Sequence, residues 1–517
     1  MKLRLAACCL AACLAWGTAA AAPGLPSKNV AWVAAAADAD VDRAFARARA
    51  ENKPVLLYWG ATWCPPCNQL KATLFNRQDF ALQAREFVAV HVDGDRPGAQ
   101  KLGQRFGVSA YPTMVLFSPD AREITRLPGE AEPEQVLALL QQALAAGRPV
   151  KALVADATAG RTLSANEWRS LAFYAWDVDD GRVVAPAERA VLLAKLAAAA
   201  PAADDETATR LWLKALVADE GQGRVKADAA LRERVRRVAA DPALARRHAD
   251  VFAGSAADLV RALAEGAPEK SPLVPVFDGA LQRLAADATL SRADRLGALG
   301  SRVELARLGS PEQAVKVELP AALRQTVREH VARDDREISD GYERQAVITG
   351  GAYVLARAGL WDESDALLKA NLAKSHSPYY LMSQLGGNAR KLGRNDEALG
   401  WYRQAFEKSE GPATRLQWGG GYLAALVDLA PGDGARIEST AATLIDEAGR
   451  DAGAFQGRSV RSLQRVGAKL VAWNEGGRHA AAMKRLQARL DGVCRKAPAA
   501  DGARDTCRAL LKPRTVG

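Results

Sequence analysis

The segment Pro54-Val-Leu-Leu-Tyr-Trp-Gly-Ala-Thr-Trp-Cys-Pro-Pro-Cys67 decides how this sequence is read. Val55 to Gly60 is a continuous apolar run of buried-strand length, and a helix is expected from Pro65 to about Asn76. The Cys64/Cys67 pair therefore sits where a strand gives way to a helix. At a helix N-terminus, unpaired backbone N–H groups and the macrodipole favour a thiolate, which suits Cys64. Cys67 lies one turn further on, within reach of a mixed disulfide on Cys64. Pro65 and Pro66 fix this active turn without harming the helix, because N–H groups of the first turn have no partner to lose. A closed zinc site would need four ligands, and no second C-x-x-C or paired histidine supplies the others. Haem attachment would need His after the second Cys, where Asn68 stands. An inert structural disulfide fits poorly with the flanking Trp63 and the strand-to-helix position. These residues point to redox chemistry, with no metal and no cofactor beyond the disulfide itself.

Working outward, residues 29 to about 146 alternate helix and strand patterns. Helices are expected over Asp38–Asn52, Ala99–Phe106 and Glu132–Ala145. Strands are expected over Phe87–Val92, Thr113–Phe117 and Ile124–Leu127, the last two separated by a Ser118-Pro119-Asp120 turn. Such alternation implies a mixed, mostly buried sheet covered on both faces.

Residues 29–146 resemble the thioredoxin family. The resemblance rests on Gly60-Ala-Thr-Trp-Cys-Pro-Pro-Cys67, on Phe106-Gly107-Val108, and on Ala110-Tyr111-Pro112-Thr113 before an apolar strand. Ala50-Glu-Asn-Lys-Pro-Val-Leu-Leu-Tyr58 is similar to exported thioredoxin-like proteins and to the reducing domain of periplasmic thiol:disulfide interchange proteins. The resemblance implies a cis Tyr111–Pro112 bond facing the disulfide, with Trp63, Tyr111 and Pro112 forming the substrate-binding surface. It also implies catalysis by Cys64 and Cys67. Cys64 would attack a protein disulfide, and Cys67 would resolve the mixed disulfide. One departure stands out: where thioredoxins carry a buried Asp six residues before the first Cys, this sequence has Tyr58, a poor base at neutral pH. No His lies between the cysteines, which favours a reductant or isomerase over an oxidant. A reductant in an oxidising compartment implies a membrane electron donor.

Length, composition and charge bound the rest. At 517 residues the chain is long enough for about three domains. A hydrophobic content of 49% excludes a largely disordered chain. The net charge of +10 is a mild excess, and without any block of five like charges it marks no nucleic-acid arm. Five scattered histidines share no metal-ligand spacing. Met1-Lys2-Leu3-Arg4 and the apolar run Leu5 to Trp16 read as a signal peptide over 1–21, with cleavage after Ala20 or Ala21. A periplasmic or secreted protein is expected. Leu10-Ala11-Ala12-Cys13 also matches a lipoprotein box, which would anchor the chain through Cys13. No later run is long and apolar enough to span a bilayer.

Beyond Gly147-Arg148-Pro149 the pattern becomes helical. Ser164 with Glu167 forms a capping-box signature, and helices are expected over Ala187–Ala200, Glu206–Ala218, Ala227–Ala239 and Leu244–Glu265. Gly359–Pro378 aligns with Gly393–Pro412 at an offset of 34, matching Gly359/Gly393, Asp362/Asp396, Glu363/Glu397 and Pro378/Pro412. This resembles tetratricopeptide helix hairpins, whose stacking builds concave binding surfaces. Cys494 and Cys507 read as a structural disulfide tying a terminal hairpin.

The expected fold is multidomain: an α/β thioredoxin fold followed by an all-α, tetratricopeptide-like region. The expected division is 22–148 thioredoxin-like, 149–163 linker, 164–330 helical, and 331–517 tetratricopeptide-like. The expected function is an exported thiol:disulfide oxidoreductase acting on protein disulfides, its helical region binding a client or partner protein. The alternative is a helical scaffold or chaperone-like binding protein in which the thioredoxin fold is accessory.

Overall fold

The computed structural model describes residues 27, 29–145, 147–201, 203–498 and 502–512. The signal segment and Cys13 lie outside the described residues. Five strands, β1 (Val33–Ala35), β2 (Val55–Gly60), β3 (Val88–Asp93), β4 (Thr113–Phe117) and β5 (Glu123–Leu127), form one sheet in the order β1-β3-β2-β4-β5. β1, β3 and β2 run parallel, while β4 is antiparallel to β2 and β5 to β4. Every residue of β2 is buried, as its unbroken apolar run requires of a central strand.

Alternate residues of β2 face opposite layers. Val55, Leu57 and Trp59 pack with Val41 and Phe45 of α1 (Asp38–Glu51). On the same face lie Leu102 and Phe106 of the Ala99–Phe106 helix. Leu56 and Tyr58 face Leu70 of α2 (Pro65–Thr73), Phe80 of α3 (Gln78–Gln83), and Val136 and Leu140 of the Pro133–Leu144 helix. The last two helices are α4 (Ala99–Phe106) and α5 (Pro133–Leu144). Strand β1 and helix α3 had no expectation attached, since three and six residues are too few to carry a periodic signal.

An all-helical region follows, with 19 α-helices among the described residues, from Val150–Thr158 to Ala503–Ala509. Three expectations need correction. Residues 149–163, read as a linker, contain the Val150–Thr158 helix, which buries Val150, Leu153 and Ala157. Leu244–Glu265 is two helices, Pro242–Arg247 and Ala249–Leu263, broken at His248. The boundary at 330/331 falls inside the Ala321–Glu337 helix. A single apolar core joins the α2/α5 face of the sheet to helices as far as Leu305, so residues 149–163 are packed structure and not a spacer.

Further on, Gly341–Arg357 pairs with Trp361–Asn371, Pro378–Lys391 with Asn395–Lys408, and Pro412–Leu429 with Gly434–Arg450. Gly359 and Gly393 both have positive φ (75° and 73°), at equivalent positions after the first helix of successive hairpins. Cys494 and Cys507 are bonded, with Cα atoms 5.6 Å apart, and link the Ala480–Lys496 and Ala503–Ala509 helices. Helices late in the chain return to the sheet domain: Gly341–Arg357 packs on α2 and Gly457–Trp473 on α4. Among the described residues no helix is long and apolar enough to cross a membrane.

Buried charge within the helical region centres on Arg210 and Asp250. Arg210 Nη1 donates to Asp250 Oδ1 at 3.0 Å, its Nε donates to the Ala172 carbonyl at 3.2 Å, and its guanidinium lies 4.0 Å from the Phe173 ring centre. Burial works to raise the Asp250 carboxyl, but the charge and hydrogen bonds of Arg210 outweigh it and hold the group down to about 2. A folded-state value below the unfolded one contributes stability above about pH 4 that is lost as pH falls through about 2. Asp250→Asn, which strands the Arg210 charge, is expected to cost about 3–5 kcal/mol. Thermal unfolding across pH 2 to 7 checks both: the variant should melt lower at neutral pH, and the gap should close in acid.

Candidate redox site

Strand β2 ends at Gly60, and three residues later the chain turns into α2. Cys64 is the N-cap of α2, Pro65 and Pro66 open its first turn, and the Cys67 N–H donates to Cys64 Sγ at 3.2 Å. The sulfurs are bonded, with Cα atoms 5.2 Å apart. Asn68 is buried and clamps the turn, its Nδ2 donating at 2.8 Å to the carbonyls of both Thr62 and Cys64. The backbone around the pair is thus held by one amide side chain, and a free N–H already points at the sulfur that would carry charge on reduction.

The Tyr111–Pro112 peptide is cis. Tyr111 and Trp63 pack together on Ala61, Cys64 and Cys67. Tyr111 is held through its hydroxyl, which accepts from Gln100 Nε2 at 2.9 Å, while the same amide donates to the Gly94 carbonyl at 2.6 Å. Gly94 is required here: a Cβ would lie 2.0 Å from the Tyr111 hydroxyl oxygen.

Behind the pair lies a buried group of titratable side chains. Tyr58 is fully buried, its hydroxyl has no hydrogen-bond partner, and its ring stacks on His91 at 5.2 Å. Burial, and secondarily the charge of Asp93, push the Tyr58 hydroxyl well above its ordinary value. It cannot serve as a base near neutral pH. Burial lowers Lys71, whose Nζ sits 5.1 Å from the Tyr342 ring centre, with Asp93 opposing that shift. Burial and Asp95 raise Asp93. Burial, followed by the charge of Lys71, takes His91 down to about 3, so it is neutral at physiological pH.

The opposite side of the pair is covered by the helical region. Trp63 Nε1 donates to Asp95 Oδ2 at 2.8 Å and to Thr414 Oγ1 at 3.0 Å. Asp95 also accepts from the Thr414 hydroxyl and from Arg458 Nη2. The Arg458 guanidinium lies 5.0 Å from the Trp63 ring centre and 5.2 Å from that of Tyr111. Trp63 stacks on Tyr380 at 5.9 Å and meets Trp418 edge-on at 5.1 Å. His376 Nε2 is 3.1 Å from the Thr62 carbonyl oxygen, and the Arg458 backbone N–H donates to Gln100 Oε1 at 2.7 Å. Cys64 is 2% exposed and Cys67 0%, packed against Ala61, Trp63 and Tyr111.

Cys64, Cys67, Pro65, Pro66, Trp63, Tyr111 and Pro112 therefore belong to one locality, while Cys494 and Cys507 lie in the terminal hairpin. Sequence reasoning missed Asp95, Gln100, His376, Thr414, Trp418 and Arg458. Asp95 and His376 lie in loops and the other four in helices, and nothing in the sequence brought them to the cysteines.

Comparison with known proteins places these features in a family. A family model described as a thioredoxin-like domain matches residues 41–144. Thioredoxin from Mycolicibacterium smegmatis is 30% identical over 93 residues, which is 18% of this chain and 80% of that protein. The chain belongs to the thioredoxin family. Thiol:disulfide interchange protein DsbD 2 from Pseudomonas aeruginosa is 30% identical over 110 residues, covering 20% of this chain and 19% of that protein. The chain thus spans about a fifth of the length of this relative. A solution structure of a thioredoxin from Thermus thermophilus is 27% identical, covers 22% of this chain and 86% of that one, and has a TM-score of 0.20. Family membership and the close cysteine pair support thiol–disulfide oxidoreductase chemistry.

If Tyr58 takes no part in proton transfer, Tyr58→Phe should leave the rate of disulfide reduction by dithiothreitol unchanged. Removing a buried hydroxyl without a partner should also hold or raise thermal stability, by up to about 1–2 kcal/mol. Stopped-flow reduction and thermal melts of the variant measure both.

Proposed function

We propose that this thioredoxin-family chain is an exported thiol:disulfide oxidoreductase that acts on protein disulfides in the reducing or isomerising direction. The observation that carries the reading is the Cys64–Cys67 pair at the N-terminus of α2, with the Cys67 N–H directed at Cys64 Sγ. In the reduced protein, Cys64 thiolate attacks one sulfur of a substrate disulfide, forming a mixed disulfide and expelling the other sulfur as a thiolate. Cys67 thiolate then attacks Cys64 Sγ. The substrate's second sulfur leaves, two electrons have passed to the substrate, and its thiolates take up protons from solvent. A membrane-bound electron donor would return the pair to the dithiol state. The basic, apolar N-terminal segment supports export, the similarity to thiol:disulfide interchange proteins supports exchange on protein disulfides, and the absence of His between the cysteines supports the reducing direction. The helical region, with hairpins repeating at tetratricopeptide spacing, is proposed to bind a client or partner protein.

The second reading, a helical scaffold with an accessory thioredoxin fold, is favoured by the covering of Trp63, Tyr111 and Cys64. Cys64→Ser separates the two: it should abolish disulfide exchange in the oxidoreductase and leave partner binding intact in the scaffold. Cys67→Ser should accumulate mixed disulfides on Cys64, identified by mass spectrometry. Equilibration of Cys64/Cys67 with a dithiothreitol series should give a potential near about −270 mV for a reductant. A value near about −120 mV would reverse the direction, and a pair that never exchanges would leave the scaffold reading standing.

A further inference from the structure

The residues that would meet a substrate are already bonded to the far end of the same chain. Trp63 precedes Cys64 and Tyr111 precedes the cis proline, and the Arg458 guanidinium lies against both rings while bonded to Asp95. Attack on a disulfide requires a thiolate to approach along the S–S axis, yet Cys64 is 2% exposed. A small thiol needs only a local fluctuation to reach that sulfur. A thiol carried on a folded protein must also seat its surface on Trp63 and Tyr111, against which Tyr380, Trp418 and Arg458 already pack.

Beside the aromatic packing of Trp63 on Tyr380 and Trp418, a polar and concentrated contact resists this separation. The Asp95 and Arg458 side chains are 11% and 12% exposed, and Thr414 adds a hydroxyl to the same carboxylate. Arg458 also uses its backbone N–H to grip Gln100, the residue that holds Tyr111. Arg458 Nε and Nη1 are buried without a hydrogen-bond partner, so the seam is incompletely matched and gains hydration when it opens. An apolar interface of the same extent would have no such compensation. The backbones meet as well: a Cβ on Gly411, whose φ is 82°, would come within 2.7 Å of Asp95 Cβ.

We infer that Arg458 is a specificity-determining residue of the redox site, latching the helical region over Trp63 and Tyr111 so that Cys64–Cys67 exchanges readily with small thiols and only on unlatching with thiols of folded proteins. The inference rests on the oxidoreductase reading proposed above. It names the partner class by size: protein dithiols and disulfides gain access when the Asp95–Arg458 contact is broken.

The test uses the full-length oxidised protein and two reductants, dithiothreitol and reduced thioredoxin, with wild type, Arg458→Ala, Arg458→Lys and Gly411→Ala. Release of the latch shifts the closed–open equilibrium, so the thioredoxin-driven rate should rise at least about tenfold in Arg458→Ala. The dithiothreitol rate should change less than about threefold, and Arg458→Lys should restore much of the discrimination because a cation remains beside Asp95. Gly411→Ala, a steric wedge that removes no charge, should act in the same direction if Arg458→Ala fails to fold. Amide hydrogen exchange should lose protection over residues 411–420 and 456–462 while β2 stays protected. Equal rate changes with both reductants, or unchanged discrimination in both Arg458→Ala and Gly411→Ala, would overturn the latch. A disulfide that dithiothreitol cannot reduce in any form would sink the oxidoreductase reading itself, which separates the two failures.

Discussion

At the cysteine pair, one carboxylate, that of Asp95, ties the sheet domain to the helices at the far end of the chain. It accepts hydrogen bonds from Trp63 in the active-site turn, from Thr414 at the start of the Pro412–Leu429 helix, and from Arg458 at the start of the Gly457–Trp473 helix. A carboxylate withdrawn from water is tolerated only when charge and donors replace the lost hydration. Here two of the three replacements, from Thr414 and Arg458, come from elements more than 300 residues away in sequence. The sheet domain therefore does not present a finished surface of its own, since the loop after β3 is completed by helices from the opposite end of the chain.

Chemistry and access are set by different parts of the molecule. The geometry at the sulfur is local: an N-cap position, two prolines and the Asn68 clamp hold the turn in which the Cys67 N–H donates to Cys64 Sγ. The surroundings of the pair are set by distant elements, because Tyr380, Trp418 and Arg458 pack on Trp63 and His376 meets the Thr62 carbonyl. The buried side chains behind the pair depart from a simple acid relay. Tyr58 is held neutral by burial, and its ionisable neighbours Lys71, His91 and Asp93 are each pushed by burial toward the neutral form.

The sheet domain was legible because its signals are local and redundant. The apolar run of β2, the Gly107 turn after α4 and the strand after Pro112 each mark their element within a few residues. What escaped was short or lacked periodic contrast. β1 has three residues, and α3 exposes most of its length. The Val150–Thr158 helix follows a proline and looked like the end of a domain, yet it is packed into the shared core. Among the helices, uninterrupted Ala- and Arg-rich patterning hid the break at His248 and gave no reason to carry one helix across 330.

By itself the sequence determined the order of the longer strands and helices in the first quarter of the chain, the position of a close cysteine pair at a helix N-terminus, and the helical character of the region after it. These follow from nearest-neighbour rules: side-chain periodicity, the geometry of proline, and the dipole of one helix. Only the tertiary structure decided that the pair is covered and by what. The distance between Trp63 and Arg458 depends on the packing angles of every helix between them, each set by side-chain interdigitation that no single segment encodes. Small rotations summed over that path place a guanidinium over an indole, and the chain between them bears no local mark of it.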